Sequence, residues 1–143
     1  METTEKQALT TTINFNASKE KVWQGLTDPK MIKEYFFGTN LETDWKVGSP
    51  VIWKGEWDGK TYEDKGKVVE ITPGEYVKYT YWSSMSGVED KPENYNNVTY
   101  RLTGEGDKTT LEVTQDGIKD VASKEHSEKN WQALFGELKK LIE

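Results

Sequence analysis

The sequence predicts an α+β fold, a curved antiparallel sheet of about seven strands around a long C-terminal helix, with two short helices after the first strand. Three observations carry this. Residues 41–116 alternate apolar and polar positions between short turn signals: Asp58-Gly59, Pro73-Gly74 and Gly104-Glu105-Gly106-Asp107. Near the end of the chain Trp131, Leu134, Phe135, Leu138, Leu141 and Ile142 recur at spacings of three and four, an apolar helical stripe. A single antiparallel sheet must also bury one face, and only that last helix is large enough to cover it.

The elements follow in order. Residues 8–15 are rich in Thr and end in alternation, which predicts a strand. Ser18 sits at a helix N-cap before Lys19-Glu20-Lys21-Val22-Trp23, and Val22, Trp23 and Leu26 share a face. Asp28-Pro29 ends that helix and starts a second one from residue 30 to about 37, closed by Gly38. Strands are expected at about 39–44, 50–57, 60–72, 75–83, 96–104 and 108–116. Residues 84–96 are polar, carry Gly87 and Pro92, and form the longest loop. The final helix is expected over about 123–142.

Composition narrows the function classes. At 143 residues the chain has the length of one domain, expected over 1–143. Six Trp, seven Tyr and four Phe predict an aromatic-rich interior, because each ring buries a large apolar area. The net charge of −6, with Arg101 the sole arginine, argues against a nucleic-acid partner. No apolar run reaches the length of a membrane span. The opening METTEKQALTTTINF lacks a basic-then-apolar signal pattern, so a cytoplasmic protein is expected. There is no Cys, hence no disulfide, thiolate metal site or cysteine nucleophile.

Hairpin parity assigns the faces of the sheet. Val51, Trp53 and Trp57 share a face with Tyr62, Asp64, Gly66 and Val68, and the next hairpin adds Val77, Tyr79 and Tyr81. Val98, Tyr100 and Leu102 pair with Leu111 and Val113. The opposite face collects Lys54, Glu56, Glu63, Lys65, Lys67, Lys78, Arg101 and Glu112, a solvated surface. Val69, Ile71 and Trp82 break the phase, which predicts a bulge. Toward its N-terminus the helical stripe meets Asn130, Ser127 and Ser123 in place of apolar residues. A partly polar cavity between sheet and helix accounts for both the inward hydroxyls and the polar half-stripe; plain core packing is the alternative. Asp64 is expected at the sheet edge, in contact with water.

Several segments resemble the START-like (SRPBCC) helix-grip superfamily. They are Ala17-Ser18-Lys19-Glu20-Lys21-Val22-Trp23-Gln24-Gly25-Leu26-Thr27-Asp28-Pro29, the pair Tyr35-Phe36, Gly66-Lys67-Val68-Val69-Glu70-Ile71-Thr72-Pro73, and His126-Ser127-Glu128-Lys129-Asn130-Trp131 followed by Leu134 and Leu138. Within that superfamily the chain looks most like the activator of heat-shock-protein-90 ATPase homologue-like group. The resemblance implies a seven-stranded sheet gripping the C-terminal helix. It also implies an apolar ligand between them, a cyclase-type activity in some members, and a co-chaperone role in the eukaryotic namesake, whose second module has no counterpart in this sequence.

No catalytic constellation is legible. His126 is the only histidine, and Glu125 and Glu128 beside it do not make an orienting partner. Metal ligation is not expected, since Glu63-Asp64 and Glu89-Asp90 are simplest as solvated charges. Ser84 and Ser86 lie outside any Gly-x-Ser-x-Gly pattern, and no phosphate-cradling glycine loop occurs. The favoured function is therefore binding of a small hydrophobic or aromatic molecule, with no cofactor. The expected lining is Trp53, Trp57, Tyr62, Tyr79, Tyr81 and Tyr100 from the sheet, Tyr35 and Phe36 from the short helices, and Asn130, Trp131 and Phe135 from the long helix. The loop 84–96 is expected to act as its lid. An enzyme using His126 or Asp64 as acid–base is one alternative, and a chaperone partner in stress biology is a weaker one. Either a monomer or a homodimer fits.

Overall fold

A computed structural model describes residues 7–36, 38–57, 59–83, 89–118 and 120–143, the side chain of Trp57 excepted. The first strand, β1 (Gln7–Phe15), buries every second side chain, Leu9, Thr11, Ile13 and Phe15. Helix α1 (Lys19–Thr27) starts where Ser18 Oγ accepts a bond from the Lys21 amide at 3.2 Å. Asp28 closes α1 and caps α2 (Pro29–Tyr35), accepting from the Lys30 amide at 2.9 Å, with Pro29 in the first turn. The second helix stops at Tyr35, short of the expected residue 37; Phe36 is its C-cap and Phe37 lies outside the described residues.

The other strands are β2 (Asn40–Glu42), β3 (Pro50–Trp57), β4 (Lys60–Thr72), β5 (Tyr76–Tyr81), β6 (Asn96–Glu105) and β7 (Lys108–Ile118). They form one antiparallel sheet in the order β1-β7-β6-β5-β4-β3-β2. Strand β2 covers only three residues of the six expected. The loop expected over 84–96 contains a 3₁₀ turn (Pro92–Asn94), and residues 84–88, where a lid was expected, lie outside the described residues. Helix α3 (Val121–Ile142) begins two residues earlier than expected, because Asp120 accepts a bond from the Ser123 amide at 2.7 Å.

The register matches the face assignment. Trp53 stands opposite Asp64, Val51 opposite Gly66 and Gly55 opposite Tyr62. Val68 faces Tyr79, and the register then shifts before Glu70 meets Lys78. That shift is the expected bulge, and it returns Ile71 to the phase of Val77. Tyr100 pairs with Val113 and Leu102 with Leu111.

Helix α3 lies on the concave side, packed against β1 and β7 and touching both α1 and α2. Leu134, Phe135, Leu138 and Ile142 are its buried residues. Leu141, expected in this stripe, is instead exposed. The crossing with α1 is close enough that a Cβ on Gly25 would lie 2.7 Å from Leu138 Cδ1. Polar side chains of the same helix hold the edge strand β1: Gln132 Nε2 donates to Thr11 Oγ1 at 2.6 Å and to the Thr12 carbonyl at 2.9 Å, and Lys139 Nζ donates to the Asn14 carbonyl at 2.6 Å. These bonds cover backbone acceptors that an open edge would present to another strand. No helix among the described residues is long and apolar enough to cross a membrane.

Candidate functional site

The concave face is built from rings contributed by consecutive strands. Trp131 and Phe135, one helical turn apart on α3, stack at 5.7 Å with an interplanar angle of 7°. Phe135 meets Tyr100 of β6 edge-on at 5.7 Å, and Tyr100 meets Tyr79 of β5 edge-on at 5.4 Å. Tyr79 then tilts against Trp53 of β3 at 5.5 Å, and Trp53 meets Tyr81 at 5.1 Å and 76°. Tyr35, at the end of α2, joins through Phe135 at 6.2 Å. Trp53 of β3 meets Tyr79 and Tyr81 of β5 across the intervening β4, because strand register puts alternate residues of all three strands on one face.

The hydroxyls on this face are paired. Tyr79 and Tyr100 share a hydrogen bond of 2.7 Å, and Tyr35 donates to the Gly25 carbonyl at 2.8 Å. Tyr62 is hydrogen-bonded to Thr39, which is fully buried. Trp131 Nε1 donates to Gln115 Oε1 at 2.8 Å. Burial pushes the Tyr79 and Tyr35 hydroxyls well above the ordinary phenol range, with nearby Tyr100 adding to both. Burial likewise raises Tyr100, against a smaller opposing effect of its bond with Tyr79.

Asp64 departs from expectation. It is 8 % exposed, and β4 is an interior strand, so the carboxylate lies under the sheet's own rings and not at a wet edge. Tyr81 Oη donates to Asp64 Oδ2 at 2.6 Å, a charge-assisted bond. Burial and then the Asp64 charge push the Tyr81 hydroxyl up, while a bond from Ser83 acts the other way.

Of the eleven residues named from sequence, Tyr35, Trp53, Tyr79, Tyr100 and Phe135 are buried in one cluster, against which the half-buried Phe36, Tyr81 and Trp131 pack. Tyr62 is half-buried on the same face. The side chain of Trp57 lies outside the described residues. Asn130 corrects the helical phase: it is exposed, whereas Ser123, Ser127 and Trp131 are half-buried. Two residues join the site unannounced, Thr39 and Gln115. Gln115 was readable in principle, since it continues the inward alternation of Leu111 and Val113. His126 is exposed on α3. Among the described residues no three His, Asp or Glu side chains converge as a metal site would need.

This geometry has known counterparts. No curated protein matches the sequence. The solution structure of ChR145 from Cytophaga hutchinsonii is 42 % identical, with a TM-score of 0.84 over 99 % of this chain and 96 % of that one. The fold is also shared by CalU16 from Micromonospora echinospora, 20 % identical, with a TM-score of 0.74 over 96 % of this chain and 76 % of that one. The Aha1 dimer from Colwellia psychrerythraea is likewise 20 % identical, with a TM-score of 0.73 over 96 % of each chain. Residues 16–143 match the family described as Activator of Hsp90 ATPase homolog 1-like protein. With a helix-grip fold and a family match running from the end of the first strand to the last residue, the chain belongs to the activator of Hsp90 ATPase homolog 1-like family.

Proposed function

We propose that this chain, as a single domain of residues 1–143, is a cytoplasmic binding protein for a small, largely apolar molecule held between the inner sheet face and α3. One observation supports this above others: burial along the inner face is graded. Tyr35, Tyr79, Tyr100 and Phe135 are sealed, while Tyr62, Tyr81 and Trp131 remain half-buried on the same side. A face serving only as core tends to bury its rings on every side at close-packed density. Helix α3 rests over β1 and β7, whereas Trp53, Tyr62 and Tyr81 stand on β3, β4 and β5 further along the sheet. Rings in such a setting supply affinity by apolar burial, and a few fixed polar atoms supply orientation.

Tryptophan fluorescence titrated with a panel of apolar molecules tests this, alongside native mass spectrometry of the purified protein. Saturable quenching by at least one member, weakened in Tyr62→Ala, is the expected result. A panel without saturable binding, from protein carrying no co-purified molecule, would overturn the proposal.

The Colwellia psychrerythraea relative is described as a dimer, which supports a homodimer here as the alternative to a monomer. Sedimentation velocity distinguishes the two. The family description supports a co-chaperone role less directly. The exposed large apolar side chains among the described residues, Val47, Val121 and Leu141, come from a loop and from the two ends of α3, not from one element face.

A further inference from the structure

Two trios of the same kind recur in the structure. On the inner face Trp53 meets the Tyr81 ring edge-on at 5.1 Å, and the Tyr81 hydroxyl donates to Asp64 Oδ2 at 2.6 Å. Away from that face Trp82 stacks on Tyr95 at 6.4 Å, and Tyr95 donates to Asp90. Indole, phenol and carboxylate in that order are the parts of a one-electron relay. An indole that has lost an electron takes one from a neighbouring phenol when the phenol gives up its proton at the same moment. That needs a base already holding the proton, since otherwise a cationic ring is left in an apolar interior.

Tyr81 is the inner-face tyrosine that meets this condition. Tyr79 and Tyr100 are bonded to each other, Tyr35 to the Gly25 carbonyl and Tyr62 to Thr39, and none of those acceptors is a base. Asp64 is a carboxylate at direct hydrogen-bond distance from Tyr81 Oη. The same phenol oxygen takes a bond from Ser83, so it keeps a donor after its own proton has gone.

Rings lead to this pair from the rim of the face. Trp131 is half-buried and meets Tyr100 at 6.0 Å, Tyr100 meets Tyr79 at 5.4 Å, and Tyr79 meets Trp53 at 5.5 Å. Trp131 itself donates to the Gln115 amide oxygen, again not a base. An oxidising equivalent entering along these rings therefore settles as a neutral radical at Tyr81.

We infer that Trp53, Tyr81 and Asp64 form a proton-coupled relay that takes an oxidising equivalent off tryptophan and holds it at Tyr81. A diffusible one-electron oxidant removes one electron from the indole. Tyr81 returns an electron to the indole while its phenolic proton passes to Asp64 Oδ2. The products are restored tryptophan, a neutral Tyr81 phenoxyl radical and a protonated Asp64. A small thiolate closes the cycle: it gives one electron to the phenoxyl and becomes a thiyl radical, and the proton returns from Asp64 to Tyr81. No bound ligand takes part, so the relay goes beyond the binding function proposed above and does not depend on it.

The test is pulse radiolysis with azidyl radicals, which oxidise tryptophan, followed by the exchange of indolyl for tyrosyl absorption. The full chain carries Tyr95→Phe throughout, which closes the outer trio. The tyrosyl signal should grow in a first-order phase whose rate is independent of protein concentration. Adding Tyr81→Phe should remove most of it. Asp64→Asn should slow it at least about tenfold, because a positioned base is lost while the fold is kept. Tyrosyl formation that never appears, that survives in Tyr81→Phe, or that keeps its full rate in Asp64→Asn would overturn the inference. Should Asp64→Asn not fold, heavy water decides: the relay expects a slower transfer there, and an equal rate would remove the proton step to Asp64.

Discussion

Tyr79 and Tyr100 lie on adjacent strands with their rings edge-to-face at 5.4 Å and their hydroxyls bonded to one another at 2.7 Å. Each satisfies the other inside the core, so removing one hydroxyl leaves its partner buried and unpaired. Tyr79→Phe or Tyr100→Phe should each cost about 1–3 kcal/mol. The double variant should cost less than the sum of the two. Urea denaturation of the three variants checks the non-additivity.

The same tyrosines set an alkaline limit on stability. Burial raises the hydroxyls of Tyr35, Tyr79 and Tyr100, so the folded state holds protons that the unfolded chain releases from about pH 10 upward. Their contribution is complete below about pH 10 and is lost progressively above it, by up to about 1.4 kcal/mol per pH unit for each group. Urea midpoints should be nearly flat from about pH 7 to 9 as far as these groups contribute, then fall. Replacing both Tyr79 and Tyr100 by Phe should make that fall shallower.

Gly25 marks a close crossing of α1 and α3. Gly25→Ala places a methyl 2.7 Å from Leu138 Cδ1, a clash that should cost about 1–3 kcal/mol. Leu138→Val in the same chain should recover part of that loss, so thermal denaturation should show the pair to be coupled.

Gly55 plays a comparable part at the site. It pairs with Tyr62 across β3 and β4, and a Cβ there would run into the Tyr62 ring and hydroxyl. Gly55→Ala should dislodge Tyr62 from Thr39 and weaken binding of apolar probes several-fold, while far-UV dichroism stays unchanged.

Asp120 caps α3 through the Ser123 amide at 2.7 Å. Asp120→Ala should therefore destabilise the protein by about 1 kcal/mol in urea denaturation.

Much of the architecture was readable because its signals are local and periodic. The turn signal Asp58-Gly59 in the sequence implies the parity of β3 against β4, and the observed pairing of Trp53 with Asp64 agrees with it. The phase break at Val69 and Ile71 foretold the bulge. What escaped depends on non-local placement. Alternation told which way Asp64 points but not that its strand lies inside the sheet, which is a property of strand order. Spacings of three and four spread across a broad arc of a helix, and so place Asn130 and Leu141 on the inner stripe by sequence alone. The contacts of α3 with β1 and β7 narrow that arc to the side of Ser127, Trp131 and Leu138. Thr39 had no periodic signature, because its burial comes from packing beside a strand of only three residues.

The most direct check of the ring-lined site is an amide and indole NMR titration with a saturating apolar probe. The indole N–H signals of Trp53 and Trp131 should move together and saturate at one equivalent, while that of Trp82, stacked on Tyr95 away from the inner cluster, stays in place. Movement confined to Trp82, or no movement of Trp53 and Trp131 under a probe that demonstrably binds, would contradict occupancy between sheet and helix.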